Sequence, residues 1–150
     1  AYRSPWVYSP SGFDLKERLK QHLIDEGFEI TDLGNDHLDE SDDYVLFAQK
    51  VAEAVIGDEG NLGIILCGSG AGVDMVANKI DGVRSALVFD VPRAIQARQH
   101  ENANVISLPA DTLDEEEAFK ITRSFLTTDF SGEQRHVRRL DEMEKVEEEN

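Results

Sequence analysis

Residues 62–67, Leu-Gly-Ile-Ile-Leu-Cys, form a short unbroken apolar run that passes directly into a glycine-rich turn, Cys67-Gly68-Ser69-Gly70-Ala71-Gly72. A run of this length without polar alternation suits a parallel strand covered on both faces better than an edge strand with one wet face. It is therefore expected at the centre of a sheet. A helical segment follows at 70–79, a strand at 85–89, a helix at 91–100, a strand at 105–108 and a helix at 113–126. Upstream, Leu15, Leu19 and Leu23 recur every four residues across 12–26, Gly27 ends that helix, and 28–33 reads as a short strand. The acidic stretch 35–43 carries turn formers without periodicity and reads as a loop, after which Tyr44, Phe47, Ala48, Val51, Ala52 and Val55 restore helical spacing. Such alternation predicts an α/β fold: a doubly wound, mostly parallel sheet of about five strands with helices on both faces, joined by right-handed crossovers.

The chain has 150 residues, 40% of them apolar and 31% charged, which fits a single globular domain over residues 1–150. Its 31 acids against 15 bases give a formal net charge of -16, which repels a phosphodiester backbone or an anionic membrane surface. No nucleic-acid or membrane partner is expected. One cysteine cannot form an internal disulfide, so packing must hold the fold, and a cytoplasmic compartment is the natural reading. The first residues lack the basic-then-apolar order of a secretion signal.

In a doubly wound sheet, ligands collect at the carboxyl ends of strands, where glycines let backbone N–H groups approach an anion. Gly68, Ser69, Gly70 and Gly72 stand at such a point, though a tight turn without a ligand has the same spacing. Cys67 admits two readings, a small buried hydrophobe or a thiol that serves as a proton-abstracting base. His100 lies at the end of a helix just before a strand, while His22 and His37 read as surface residues. Arg135, His136, Arg138 and Arg139 are conspicuous in so acidic a chain and point to an anion site, or else to pairing with the neighbouring acids. Along 133–150, Val137, Leu140, Met143 and Val146 fall on one helical face, which needs a surface from its own domain or from a partner subunit.

Taken together, Cys67-Gly68-Ser69-Gly70, Ala77-Asn78-Lys79, the segment from Arg98 through His100 to Val105, and Arg135 to Arg139 resemble the ordered motifs of type B ribose-5-phosphate isomerases and galactose-6-phosphate isomerases. The resemblance spans nearly the whole chain. It implies a Rossmann-like three-layer domain, a homodimer without a cofactor or metal, and aldose-ketose isomerisation of a phosphorylated sugar through an enediolate. By the same resemblance Cys67 takes the place of the base and His100 that of the ring-opening histidine. Arg135, His136 and Arg139 take the phosphate-binding places across a dimer interface, and Tyr44 matches a pocket tyrosine.

Four departures gather around the implied pocket. Tyr8-Ser9-Pro10-Ser11-Gly12 stands where the family has Ser-Asp-His-Ala-Gly, and Val45-Leu46 replaces Pro-Asp. Glu101 replaces an asparagine, and Pro109-Ala110-Asp111 replaces Gly-X-Arg. Impaired catalysis is expected from such losses. Trp6, Tyr8, Val45 and Leu46 also bring large apolar groups to the pocket rim, which opens a second reading: a diverged or engineered scaffold whose rim binds another protein, a basic one given the net charge. Arg3 and Pro5 fit poorly in the buried first strand that the family would place there.

Overall fold

The computed structural model describes residues 5–8, 13–33 and 44–150. Strands and helices alternate as β1 (Pro5–Tyr8), α1 (Phe13–Asp25), β2 (Thr31–Asp32), α2 (Tyr44–Gly57), β3 (Leu62–Cys67) and α3 (Ala71–Ala77). They continue as β4 (Ser85–Leu87), α4 (Val91–Gln99), β5 (Val105–Pro109), α5 (Glu115–Thr127) and α6 (Gln134–Glu148). The strands make one sheet in the order β2-β1-β3-β5-β4, and every neighbouring pair is parallel. The chain steps from β1 out to β2 and then back across to β3, so under the right-handed crossover rule α1 and α2 cover opposite faces.

The two-residue period of the strands sorts the core between those faces. Leu62, Ile64 and Leu66 of β3 join Leu19 and Leu23 of α1, Ala94 and Ala97 of α4, and Ile121 and Phe125 of α5. Ile65 and Val105 point the other way, onto Val51 and Val55 of α2 and Val73 and Ala77 of α3. Each fully buried Leu or Ile contributes on the order of 2 kcal/mol relative to exposure. Gly63 is small because α2 crosses close above it: a Cβ there would stand 2.9 Å from Val55 Cγ2 and 3.0 Å from Val51 Cγ1. The helix starts are fixed locally. Asp90 accepts from the Arg93 N–H and Asp114 from the Glu117 N–H, both at 2.8 Å, each cap worth about 1 kcal/mol.

The central placement of residues 62–67 agrees with the sequence, since β1 and β5 flank β3. Three local expectations are corrected. β2 is Thr31–Asp32 rather than 28–33, because it is an edge strand with one neighbour and only these two residues find partners, Trp6 and Val7. Phe28 and Ile30 instead pack against the core. β4 ends at Leu87, since the chain turns at Asp90 to cap α4 and leaves Phe89 53% exposed. Pro5 fits β1 as its first residue, where a missing N–H costs the ladder least. The expected loop at 35–43, like Arg3, His37 and residues 9–12, lies outside the described residues.

One charged side chain of α1 is buried in this frame. Lys16 of α1 is fully buried, with its Nζ 2.8 Å from Asp32 Oδ2 and 3.3 Å from Glu17 Oε1, so α1 is tied to the β2 edge. α6 is packed very differently, because His136 is its one buried residue while Val137, Met143 and Val146 stay exposed. Among the described residues, no helix is long and apolar enough to cross a membrane.

Candidate functional site

Three side chains occupy the space beside three glycines of the β3–α3 turn. At Gly68 a Cβ would lie 2.8 Å from a carboxylate oxygen of Asp111, at Gly70 2.7 Å from Leu87 Cδ1, and at Gly72 2.9 Å from the Tyr44 hydroxyl. Gly70 also has φ of +77°, a left-handed conformation that side chains resist, and it starts α3 from that geometry. Ser69 Oγ accepts from the Ala71 N–H at 3.2 Å. Cys67 is a free, half-buried thiol at the carboxyl end of β3. Its carbonyl accepts from the Ala110 N–H at 2.8 Å, and that of Gly68 from the Asp111 N–H at 3.1 Å, which straps the 109–112 turn onto the glycine turn. Cys67, Gly68, Ser69, Gly70, Gly72 and Tyr44 are thus brought together.

A second cluster gathers His100 with the start of α6. The rings of His100 and His136 stack with centroids 4.4 Å apart, and His136 Nδ1 lies 3.0 Å from Ser131 Oγ. The Ser131 N–H donates to the carbonyl of Gln99, which ties the approach to α6 onto the end of α4. Arg135 Nε donates to Glu133 at 2.8 Å and Arg138 Nε stands 3.9 Å from Glu142, so part of the arginine cluster is engaged by the tail's own acids. Such exposed pairs are worth at most about 1 kcal/mol and exchange readily for a dianion. Among the described residues Arg139 has no ion pair.

Arg98 builds the loop beneath these histidines. It is 5% exposed, its Nη1 donates to the carbonyl of Ala103 at 2.6 Å and to Asn102 Oδ1 at 3.0 Å, and its Nε donates to the carbonyl of Thr128. Sequence reasoning missed this role. The available signal was position: Arg98 shares the buried face of α4 with Ala94 and Ala97.

The two clusters do not meet within one chain. Cys67 is paired with Pro109 at the carboxyl end of β5, whereas His100 precedes Val105 at the amino end, and those ends are separated by about 13 Å of strand. Helix α4 runs back along the sheet, so His100, His136, Arg135 and Arg139 lie at the edge opposite the glycine turn. His22 is not simply a surface residue: it reaches Glu115 Oε1 at 2.6 Å and rests against Phe119. Val45 and Leu46 are 43% and 49% exposed on the first turn of α2. The side chains of Trp6 and Tyr8, which complete the expected rim, lie outside the described residues.

Comparison with known proteins agrees with this frame. The profile of a family described as Ribose/Galactose Isomerase matches residues 9–143. A probable ribose-5-phosphate isomerase B of Mycoplasma genitalium is 42% identical over 140 residues, covering 93% of this chain and 91% of that protein. A ribose-5-phosphate isomerase B of Mycobacterium tuberculosis is 41% identical over 131 residues, covering 87% and 81%. The crystal structure of the Mycoplasma genitalium ribose-5-phosphate isomerase B with bound ribulose-5-phosphate superposes with a TM-score of 0.92 at 40% identity, over 98% of this chain and 97% of that one.

Proposed function

The chain belongs to the ribose/galactose isomerase family, and we propose that it isomerises a phosphorylated pentose or hexose at a site shared between two copies of the chain. The observation that carries this reading is the split of the implied chemistry between the two ends of the sheet: the thiol and glycine turn at one, the histidine and arginine cluster at the other. A homodimer unites them when the α6 end of one copy faces the Cys67 turn of the other. There Cys67 takes a proton from the carbon beside the sugar carbonyl, the enediolate forms, and the proton returns to the neighbouring carbon. The partner's copy of the His100 cluster moves the proton that opens the ring, and its arginines hold the phosphate. The lone free thiol supports a cytoplasmic location.

The replacements at residues 9–12, Glu101 and Asp111 lower the rate. A turnover at least ~100-fold below a relative that keeps the Asp-His pair is expected, roughly 3 kcal/mol of transition-state stabilisation. An assay of the purified chain with ribose 5-phosphate and with galactose and allose 6-phosphates tests the reading. Cys67→Ala should abolish turnover without loss of folded protein, and turnover unchanged by that substitution would remove Cys67 from the mechanism. The exposure of Val45 and Leu46 supports a second reading, in which the rim takes a basic protein instead. No isomerisation of any of the three sugars, with tight retention of such a partner, would favour it.

A further inference from the structure

Helix α6 is anchored at both ends and borders an open groove between them. At its start, His136 is buried against His100 and Ser131. Near its end, both oxygens of the Glu147 carboxylate accept from the Gly82 N–H, at 3.0 and 3.1 Å. Along its length α6 borders an open groove of about 490 Å³, whose lining includes Val83, Phe130, Val137 and Met143 as well as Arg84 and Glu147. Side chains that face an open groove are held less firmly than those in a close-packed core. The end contacts therefore carry more of the task of fixing the helix angle.

The contact at Glu147 leads back to the histidines. Gly82 has φ of +88°, so the turn that presents its N–H needs a glycine. Its carbonyl accepts from Asn104 Nδ2 at 2.9 Å, and Asn104 Oδ1 accepts from the Arg84 N–H at 2.7 Å. Arg84 Nε donates to the carbonyl of Asn102 at 2.8 Å. Burial pulls the Arg84 guanidinium's pKa down, and the facing carboxylates of Glu147 and Glu144 act against that. Asn102 and Asn104 belong to the loop that begins at His100 and is clamped from beneath by Arg98. The contacts therefore close a ring that runs from His136 through His100, the 100–104 loop, Arg84 and Gly82 to Glu147, and back along α6.

We propose that Glu147 is a positioning residue, which through Gly82 and Arg84 sets the angle of α6 and so the placement of the His100–His136 stack and of Arg135 and Arg139. It touches no substrate. Its kinetic consequence rests on the isomerase reading, whereas its structural consequence does not.

The test compares the full chain with its Glu147→Ala and Glu147→Gln variants, using imidazole ring-proton resonances and isomerase kinetics with ribose 5-phosphate. The chain has four histidines, which makes the resonances assignable by single His→Gln variants. Glu147→Ala should shift and broaden the His100 and His136 signals and leave His22, which is held by Glu115, in place. KM should rise about 5-fold as Arg135 and Arg139 shift, and kcat should fall less, because the Cys67 turn is untouched. Glu147→Gln should give a smaller effect, because its amide oxygen still accepts from the Gly82 N–H. Glu148→Gln, with the same loss of charge one residue on, should change neither readout. His100 and His136 signals in Glu147→Ala that superpose on those of the parent would overturn the proposal, as would moved signals with an unchanged KM in an active enzyme. Moved signals in a chain with no isomerase activity would support the positioning role and retire the isomerase reading alone.

Discussion

The carboxylate of Asp111 fills the space that a side chain at Gly68 would take, one of its oxygens standing 2.8 Å from where that Cβ would lie. A negative charge is thereby fixed on the turn that follows Cys67, in the region where the proposed reaction would develop an enediolate charge of its own. At an effective dielectric constant near 20 and a separation on the order of 6 Å, two unit charges oppose one another by about 3 kcal/mol, and solvent at an exposed carboxylate reduces this to about 1 kcal/mol. Asp111→Asn keeps the shape and removes the charge. It should raise kcat/KM for the sugar phosphate ~5-fold. A fall in kcat/KM would instead assign the carboxylate to binding sugar hydroxyls.

Asp74, just inside α3, accepts from Ser85 Oγ at 2.6 Å, and Ser85 Oγ lies 3.1 Å from Ser107 Oγ. Burial raises its carboxyl above the ordinary value of 3.8, more than the hydrogen bonds from Ser85 and Ser107 lower it. A folded-state pKa raised in this way means that the ionised form costs stability at neutral pH. The cost is relieved as pH falls through the raised folded value toward 3.8, because the folded state takes up its proton first. Asp74→Asn should therefore raise the melting temperature at pH 7, and its advantage should shrink as pH approaches 4. An advantage that grows on acidification would reverse the assignment.

The parallel frame is legible in the sequence wherever one local signal suffices. The run Leu62–Cys67 declares a doubly covered strand, and Leu15, Leu19 and Leu23 declare the stripe of α1. Edge strands are less legible, since the ends of β2 and β4 depend on which neighbours are present rather than on their own residues. Within the site, the glycine turn can be read from its spacing, but the three side chains that fill it come from residues 44, 87 and 111, which no local pattern links. The separation of Cys67 from His100 follows from topology alone: a helix that returns along the sheet carries its last residues to the opposite edge. The role of Arg98 in clamping the 100–104 loop shows only once that loop's carbonyls are placed.

Thr122 of α5 is fully buried, and its hydroxyl finds no hydrogen-bond partner. Desolvating a hydroxyl without compensation costs about 1 to 3 kcal/mol, and replacing it with a methyl of similar shape removes the penalty. Thr122→Val should stabilise the chain by ~1 kcal/mol, seen as a higher denaturation midpoint with an unchanged slope. A lower midpoint would show that the hydroxyl is bonded in solution.

If the proposed site is divided between the two ends of the sheet, mixed assemblies give a sharp forecast. Cys67→Ala leaves the His100 cluster intact at the opposite edge, and a His100→Ala variant leaves the Cys67 turn intact. Each variant alone should be inactive, because each of its paired sites lacks one group. When the two are unfolded together at equal amounts and refolded, about half of the dimers combine one chain of each kind under random association. Every mixed dimer then holds one site with both groups and one with neither, so about a quarter of the parent activity should return. A site complete within a single chain predicts no recovery at any mixing ratio. The same experiment checks the oligomer directly, since recovery must follow the fraction of mixed dimer and vanish on dilution below the dissociation constant. Recovery in material that sediments as a monomer would refute the shared site, as would no recovery from a stable mixed dimer of two inactive variants, which would place Cys67 and His100 in one chain's site; a His100→Ala variant active on its own would place His100 outside the chemistry.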